Sequence, residues 1–248
     1  MRRAMKLIVA GLVAFGLSLL VFLPASLIVR WLPPNVTTGV LTGTVWNGAS
    51  DSVQVNGEPV GAARWRVRPL QLLRGQLAID TRLVRATGEA TGRVLLERGG
   101  DVRIEDVQVH WPLAELPARI APRNWSGDVR MELREIELAN GVIRRVVGTV
   151  EARDLVAAPR GIAVGSYRVT FDPQPADAST VGQLQDLGGP MEVAGTVTLQ
   201  PGGCTIVAGR VKARPEAPVE ITRELDVLRY QGEPDAQGRM PFSLENNC

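Results

Sequence analysis

The sequence predicts a mainly β protein: an N-terminal transmembrane helix followed by a curved antiparallel β-sheet, half-barrel or sandwich-like, with a few short helices. Three observations predict it. Residues 7–29 contain no charge, and the rest of the chain alternates apolar and polar residues with a period of two. In addition, 26 Gly and 17 Pro among 248 residues cut that alternation into many short elements. At 45% hydrophobic, 22% charged and 4% aromatic, the chain is too apolar for disorder. With two cysteines it is no disulfide scaffold, and it is long enough for one sizeable domain.

The first element is the apolar run. Arg2, Arg3 and Lys6 lie in a tail of residues 1–6, and Leu7 to Val29 is then interrupted only by Gly, Ser18, Pro24 and Ser26. At about 1.5 Å per residue such a helix reaches about 34 Å, enough for a hydrocarbon core of about 30 Å. A helix buried in a soluble core would keep a polar face, and this one has none. The alternative is a cleaved signal peptide. Its apolar region would span about 7–15 residues, and a cut after Ala25 would put Leu23 where a small residue is preferred. The length favours an uncleaved anchor. Basic residues outnumber Arg30 on the N-terminal side, which predicts a cytoplasmic N-terminus. Residues 30–37, with Trp31-Leu-Pro-Pro34, read as an extended linker. Residues 38–248 read as a β domain in the periplasm of a bacterial inner membrane.

Within that domain Val53 and Val55 precede Asn56-Gly57, a strong hairpin turn, and Arg64-Trp65-Arg66-Val67 returns. Leu77, Ile79 and Leu83 share one parity, with Asp80 and Arg82 on the other. Val94 and Leu96 lead to Gly99-Gly100, and Val102 and Ile104 resume. Val129, Met131 and Leu133 run toward Asn140-Gly141, with a parity change at Ile136 where a bulge is expected. Tyr167, Val169 and Phe171 alternate, as do Met191, Val193, Val197 and Leu199. One buried and one wet face of an antiparallel sheet follow. Helical spacing is confined to 70–73, 113–116, 181–187 and 219–229. Gly-x-Val recurs at Gly43, Gly92, Gly127, Gly148, Gly195 and Gly209 without a fixed period. Either the glycines mark strand entries of a curved sheet or the repeat is chance.

No catalytic constellation emerges. His110 is the one imidazole, so neither a Ser-His-Asp set nor a His-based metal cluster can form. The paired carboxylates Glu105-Asp106, and Asp51 near Glu58, read as wet-face charges. No glycine-rich loop opens a helix, so no phosphate cradle is expected. Basic residues are spread rather than clustered, which speaks against nucleic acid. No cofactor, metal or small-molecule substrate is implied. Cys204 and Cys248 lie in a compartment where disulfides persist, so they are a disulfide candidate. Two unpaired thiols remain the alternative, because spacing alone says nothing about proximity.

One stretch is specific. Leu41-Thr-Gly-Thr-Val-Trp-Asn-Gly48, then Gly61-Ala-Ala-Arg-Trp-Arg-Val-Arg-Pro69 and Leu72-Leu-Arg-Gly75, resembles the N component of the bacterial type II secretion system. The family pattern is a Gly-Thr-Val-Trp-x-Gly strand, a Trp-x-x-x-Pro segment and a Leu-Leu-x-Gly turn. Here those positions are Gly43, Thr44, Val45, Trp46, Gly48, Trp65, Pro69, Leu72, Leu73 and Gly75. Gly238-Arg-Met-Pro-Phe242 adds loose support. The resemblance implies a non-enzymatic inner-membrane component with a periplasmic β domain. Its expected partners are the L and M assembly-platform proteins and the outer-membrane secretin, and none of its motif residues is catalytic. Trp46 and Trp65 are expected to pack within the sheet rather than on partners. An unpaired sheet edge is the expected partner contact. The competing reading is an anchored periplasmic β-groove that carries lipid. A continuous open apolar trough would favour it, and a filled core would favour a scaffold.

Overall fold

The structure is a computed structural model. It describes residues 2–72, 74–97, 99–116, 124–139, 142–158, 160–175, 179–200 and 204–246, with the side chains at 2–5, 7–10, 13, 17 and 31 outside that set. Two compact units are formed, Met1–Arg85 and Ala86–Cys248.

The first unit opens with helix α1, Arg2–Val21. The α-helix therefore ends well before residue 29. Pro24 has no N–H to donate and its ring fixes φ, so the chain continues as a 3-10 turn over Ala25–Trp31. Leu12, Phe15, Leu19 and Phe22 are 65%, 63%, 58% and 73% exposed. Among the described residues no helix is long and apolar enough to cross a membrane. Then come β1 (Val36–Thr38), β2 (Leu41–Gly43), β3 (Asn47–Val55), β4 (Glu58–Arg68), the single turn α2 (Pro69–Leu72) and β5 (Leu77–Val84). β3 pairs with β1, β2 and β4, and β4 pairs with β5, all antiparallel. The β3–β4 turn is Asn56-Gly57, with φ of 55° and 80°, the left-handed pair that a tight hairpin needs.

The second unit is a meander: β6 (Glu89–Leu96), β7 (Val102–Pro112), β8 (Trp125–Ala139), β9 (Val142–Ala157), β10 (Ile162–Phe171), β11 (Thr180–Gly188), β12 (Met191–Leu199), β13 (Thr205–Ala213) and β14 (Met240–Asn246). Each strand pairs with the next in antiparallel order. Among the described residues β14 does not return to β6, and no second sheet packs on this one, so the open alternative holds and the sandwich does not. Helix α3 (Val219–Asp226) and a 3-10 turn, Val227–Tyr230, lie between β13 and β14.

Three expectations change. Residues 181–187 are not helical; they form β11 between two strands, and the three-residue spacing of Val181, Leu184 and Leu187 is overridden by ladder pairing on both sides. The bulge expected at Ile136 lies slightly earlier, between Leu133 and Glu135 opposite Gly148. Asn140-Gly141 falls outside the described residues. The Gly-x-Val glycines are not strand entries. Gly127 and Gly148 sit inside strands at φ of 141° and 138°, and Gly195 faces Gly209 across the β12–β13 ladder.

Register lines up one apolar face across the second unit. A single row runs Val107, Leu133, Gly148, Phe171, Gly182, Val197, Val207 and Leu244. The next row runs Val109, Met131, Val150, Val169, Leu184, Gly195, Gly209 and Phe242. Leu133, Val146 and Phe171 form the buried centre, with Val107, Met131, Ile136 and Val169 against it. Most of the face is only half-buried, and among the described residues no large side chain is fully enclosed. The other face carries His110, Arg130, Glu151, Arg168 and Gln185 in one row.

Candidate functional site

The residues singled out by the sequence motif assemble at the C-terminal end of α1. Gly43 ends β2 at φ 86°, which admits a tight loop from Thr44 to Asn47. Thr44 N–H donates to the Asn47 carbonyl at 2.9 Å, and Asn47 N–H donates to Thr44 Oγ1 at 3.1 Å. That loop presents two groups to the helix end. Val45 N–H donates to the Leu23 carbonyl at 2.9 Å, and the Trp46 indole Nε1–H donates to the Leu20 carbonyl at 2.7 Å. Helix carbonyls in the last turn have no intrahelical donor, so Trp46 acts as a C-terminal cap supplied from 26 residues away. Pro24 makes a β-bridge with Thr44, and Ala25 is 1% exposed beneath it.

Trp65, on β4, braces the loop. Its Nε1–H donates to the Val45 carbonyl at 3.0 Å, and its ring lies over Gly48, where a Cβ would collide with the ring and sit 2.8 Å from the Thr42 carbonyl oxygen. Val67 N–H donates to the Trp46 carbonyl at 2.7 Å. Pro69 starts α2, and Gly75, at φ 76°, closes it by donating to the Leu72 carbonyl at 2.9 Å. Leu73 lies outside the described residues. The ordered motif is thus a collar that fixes the end of α1 to the first sheet. Trp46→Phe removes the indole donor and leaves the Leu20 carbonyl short of a partner. The expected loss is about 1–2 kcal/mol, read as a roughly ten-fold rise in hydrogen exchange at the Val45 amide.

The described residues of the second unit carry charge grids. Glu151 is 8% exposed and receives Arg153 Nε at 2.8 Å and Arg168 Nε at 2.8 Å. The Arg153 hydrogen bond first, and then that of Arg168, hold its carboxyl below the usual carboxylate range. Such a group stays ionised and is poorly matched to general acid work near neutral pH. Asp186 accepts from the Arg214 guanidinium, and Tyr167 beside them donates to the Val164 carbonyl at 2.7 Å. His110 is exposed on β7 opposite Arg130. Among the described residues no cluster of three or more His, Cys, Asp or Glu is placed to hold a metal.

Burial, reinforced by Asp186, pushes the Tyr167 phenol up to about 12. Its unfolded value is near 10, so the folded state holds this proton more tightly. That stability is complete below pH 10 and is lost as pH rises from 10 toward 12. Wild type is expected to lose about 2 kcal/mol across that window, the figure being reduced for partial exposure. Tyr167→Phe should flatten the slope, as read from urea midpoints against pH.

α3 and the turn after it carry two apolar surfaces, of which the sequence reading marked only the inner one. Ile221 of α3 is buried and, with Leu225 and Leu228, faces Trp125, Ile162, Val164 and Met191 across a cavity of about 600 Å³. The opposite side shows Val219, Val227 and Tyr230 at 62%, 62% and 93% exposure. Spacing at i, i+8 and i+11 was the available signal. The free edge of β14 is narrower than expected, because Gln231 Oε1 already accepts the Ser243 N–H at 3.1 Å. β1 has only three residues. Short, covered edges resist strand addition. Cys204, just before β13, is disulfide-bonded, and Cys248 lies outside the described residues.

With the collar of the first unit and the one-layer sheet of the second described, the comparisons give the class, a component of a bacterial protein-secretion system. A curated relative, "Type II secretion system protein N" of Aeromonas hydrophila, is 27% identical over 254 residues, covering 97% of this chain and 98% of its own length. The family model for type II secretion system protein N matches residues 34–243. The chain belongs to that family. No solved structure matches.

Proposed function

We propose that the chain is a non-enzymatic inner-membrane component of the type II secretion system, supporting export across the outer membrane by contacts between the assembly platform and the secretin. The uncharged run of residues 7–29, which begins on α1, is its single membrane pass, with the N-terminus cytoplasmic and both β units periplasmic. The observation that carries this reading is family membership in a chain that shows exposed apolar side chains on α1 and along α3 with the 3-10 turn after it. On α1 they include Leu12, Phe15 and Leu19, in the stretch that the uncharged sequence marks for lipid. On α3 and the 3-10 turn after it they are Val219, Val227 and Tyr230, a small apolar face suited to a protein partner. Partner contact by edge addition is less well supported than contact through α3.

The test is in-cell crosslinking from photoreactive side chains at Tyr230 and Val227. The expected adduct is the secretin or the L or M protein; no protein adduct from either position would overturn the α3 assignment. A reporter fused after residue 40 that is active only in the cytosol would overturn the topology.

We further assign the partner of Cys204 to Cys248, which closes a 44-residue loop around β14. Such a closure contributes about 3–4 kcal/mol. Cys204→Ser is therefore expected to lower the unfolding free energy by that amount, measured in urea on the oxidised protein.

A second reading has one observation in its favour. The apolar rows of the second unit continue across β7 to β14 while remaining half-exposed, which suits an acyl chain as well as a covering partner. Lipid retained through purification and identified by mass spectrometry, without protein adducts in cells, would favour lipid carriage.

A further inference from the structure

We propose that α2 is a second contact with the bilayer, a foot that rests on anionic lipid headgroups beside the point where α1 leaves the membrane. This rests on the reading of residues 7–29 as the membrane pass. The first unit's own topology places the foot. Arg66 pairs with Asn47, and Val67 N–H reaches the Trp46 carbonyl, while Trp46 holds the Leu20 carbonyl of α1. α2 begins at Pro69, so it lies at the end of the sheet that grips the helix. The Asn56-Gly57 turn marks the opposite end.

α2 packs on β5, where Ala78 is 0% exposed, and leaves two leucines outside. Leu70 is 78% exposed and Leu72 is 44% exposed. The turn is held by Arg74 N–H on the Gln71 carbonyl at 2.9 Å as well as by Gly75, so the leucines are presented on a fixed support.

Charge selects the occupant. Arg64, Arg66 and Arg68 are exposed and share one parity of β4, and exposed Arg74 follows α2. The carboxylate opposite this end of β4 is Asp80, 2.7 Å from Arg68, whereas Glu58 sits beside the far turn. Two exposed leucines flanked along the chain by exposed arginines match the boundary between acyl chains and anionic headgroups. An acidic protein would match the charge as well, but α1 already holds this end against a membrane surface.

The test uses the full chain in vesicles of phosphatidylcholine with and without phosphatidylglycerol. Photoreactive side chains are placed singly at Leu12, Leu70 and Asn56, and lipid adducts are counted by mass spectrometry. The expected result is lipid adducts from Leu12 and Leu70 and few from Asn56. Leu70 adducts should fall by about five-fold for each of Arg66→Gln and Arg74→Gln, and fall likewise in vesicles of phosphatidylcholine alone. Adducts from Leu12 with Leu70 no better than Asn56 would overturn the foot and leave the anchor standing. No co-flotation with vesicles would overturn both. A protein adduct from Leu70 in cells, in place of lipid, would overturn the foot in favour of a partner.

Discussion

Phe171→Ala is expected to destabilise the second unit by about 3–5 kcal/mol, the range for removing a buried aromatic. Phe171 is 6% exposed, at the centre of the cluster with Leu133 and Val146. Its ring lies over Gly182 on the neighbouring strand, where a Cβ would sit 2.6 Å from Cε1. Truncation exposes that glycine backbone and hollows the cluster against which Val169, Val197 and Leu199 pack. A one-layer sheet has no opposing layer to collapse into the gap, so relaxation offers little relief. Urea unfolding should show a lower midpoint with an unchanged slope. Phe171→Leu, which keeps much of the volume, should cost about 1 kcal/mol. An alanine variant within 1 kcal/mol of wild type would mean that this cluster is not the centre of the unit.

The second large effect is expected at Gly148. It lies on β9 opposite the bulge of β8, at φ 138°, a conformation that L side chains rarely adopt. A Cβ there would run into the Glu132 carbonyl oxygen and come within 2.6 Å of Leu133 Cα. Both obstacles are backbone of β8 and cannot rotate away. Strain and collision together make Gly148→Ala about 3 kcal/mol destabilising or more. Gly57→Ala is the control: φ is 80°, but nothing lies within 4 Å, so only the conformational cost of about 1 kcal/mol applies. Equal costs at the two sites would show that φ, and not the close approach at the bulge, sets the penalty.

The parts of this fold legible in the sequence were those decided locally. Asn56-Gly57 dictates its own backbone, and so do the alternation around Tyr167 and the apolar spacing of Ile221, Leu225 and Leu228. The parts that were not legible depend on strands far away. Val181 to Leu187 carries a helix-like spacing, and only the ladders to β10 and β12 make it a strand. The bulge near Leu133 is set by Gly148 on the next strand, so the parity change at Ile136 is its downstream effect and not its position. Gly195 and Gly209 look like a chance repeat until register sets them face to face, where a Cβ on either would strike the other's strand. The motif around Trp46 was visible as a pattern, yet its work was not, because a carbonyl at residue 20 carries no signature of the indole that meets it.

The strict neighbour-to-neighbour order of β6 to β14 bears on how the protein comes into being. Every pairing joins segments adjacent along the chain, so loop closure is inexpensive and a nascent sheet can grow one hairpin at a time. Synthesis from the N-terminus delivers segments in that same order, and each newcomer finds its template already displayed. Until the last segment arrives, the growing margin stays open and vulnerable to misassociation. The last strand to pair is β14 (Met240–Asn246), and deleting it should harm folding more than its small size suggests.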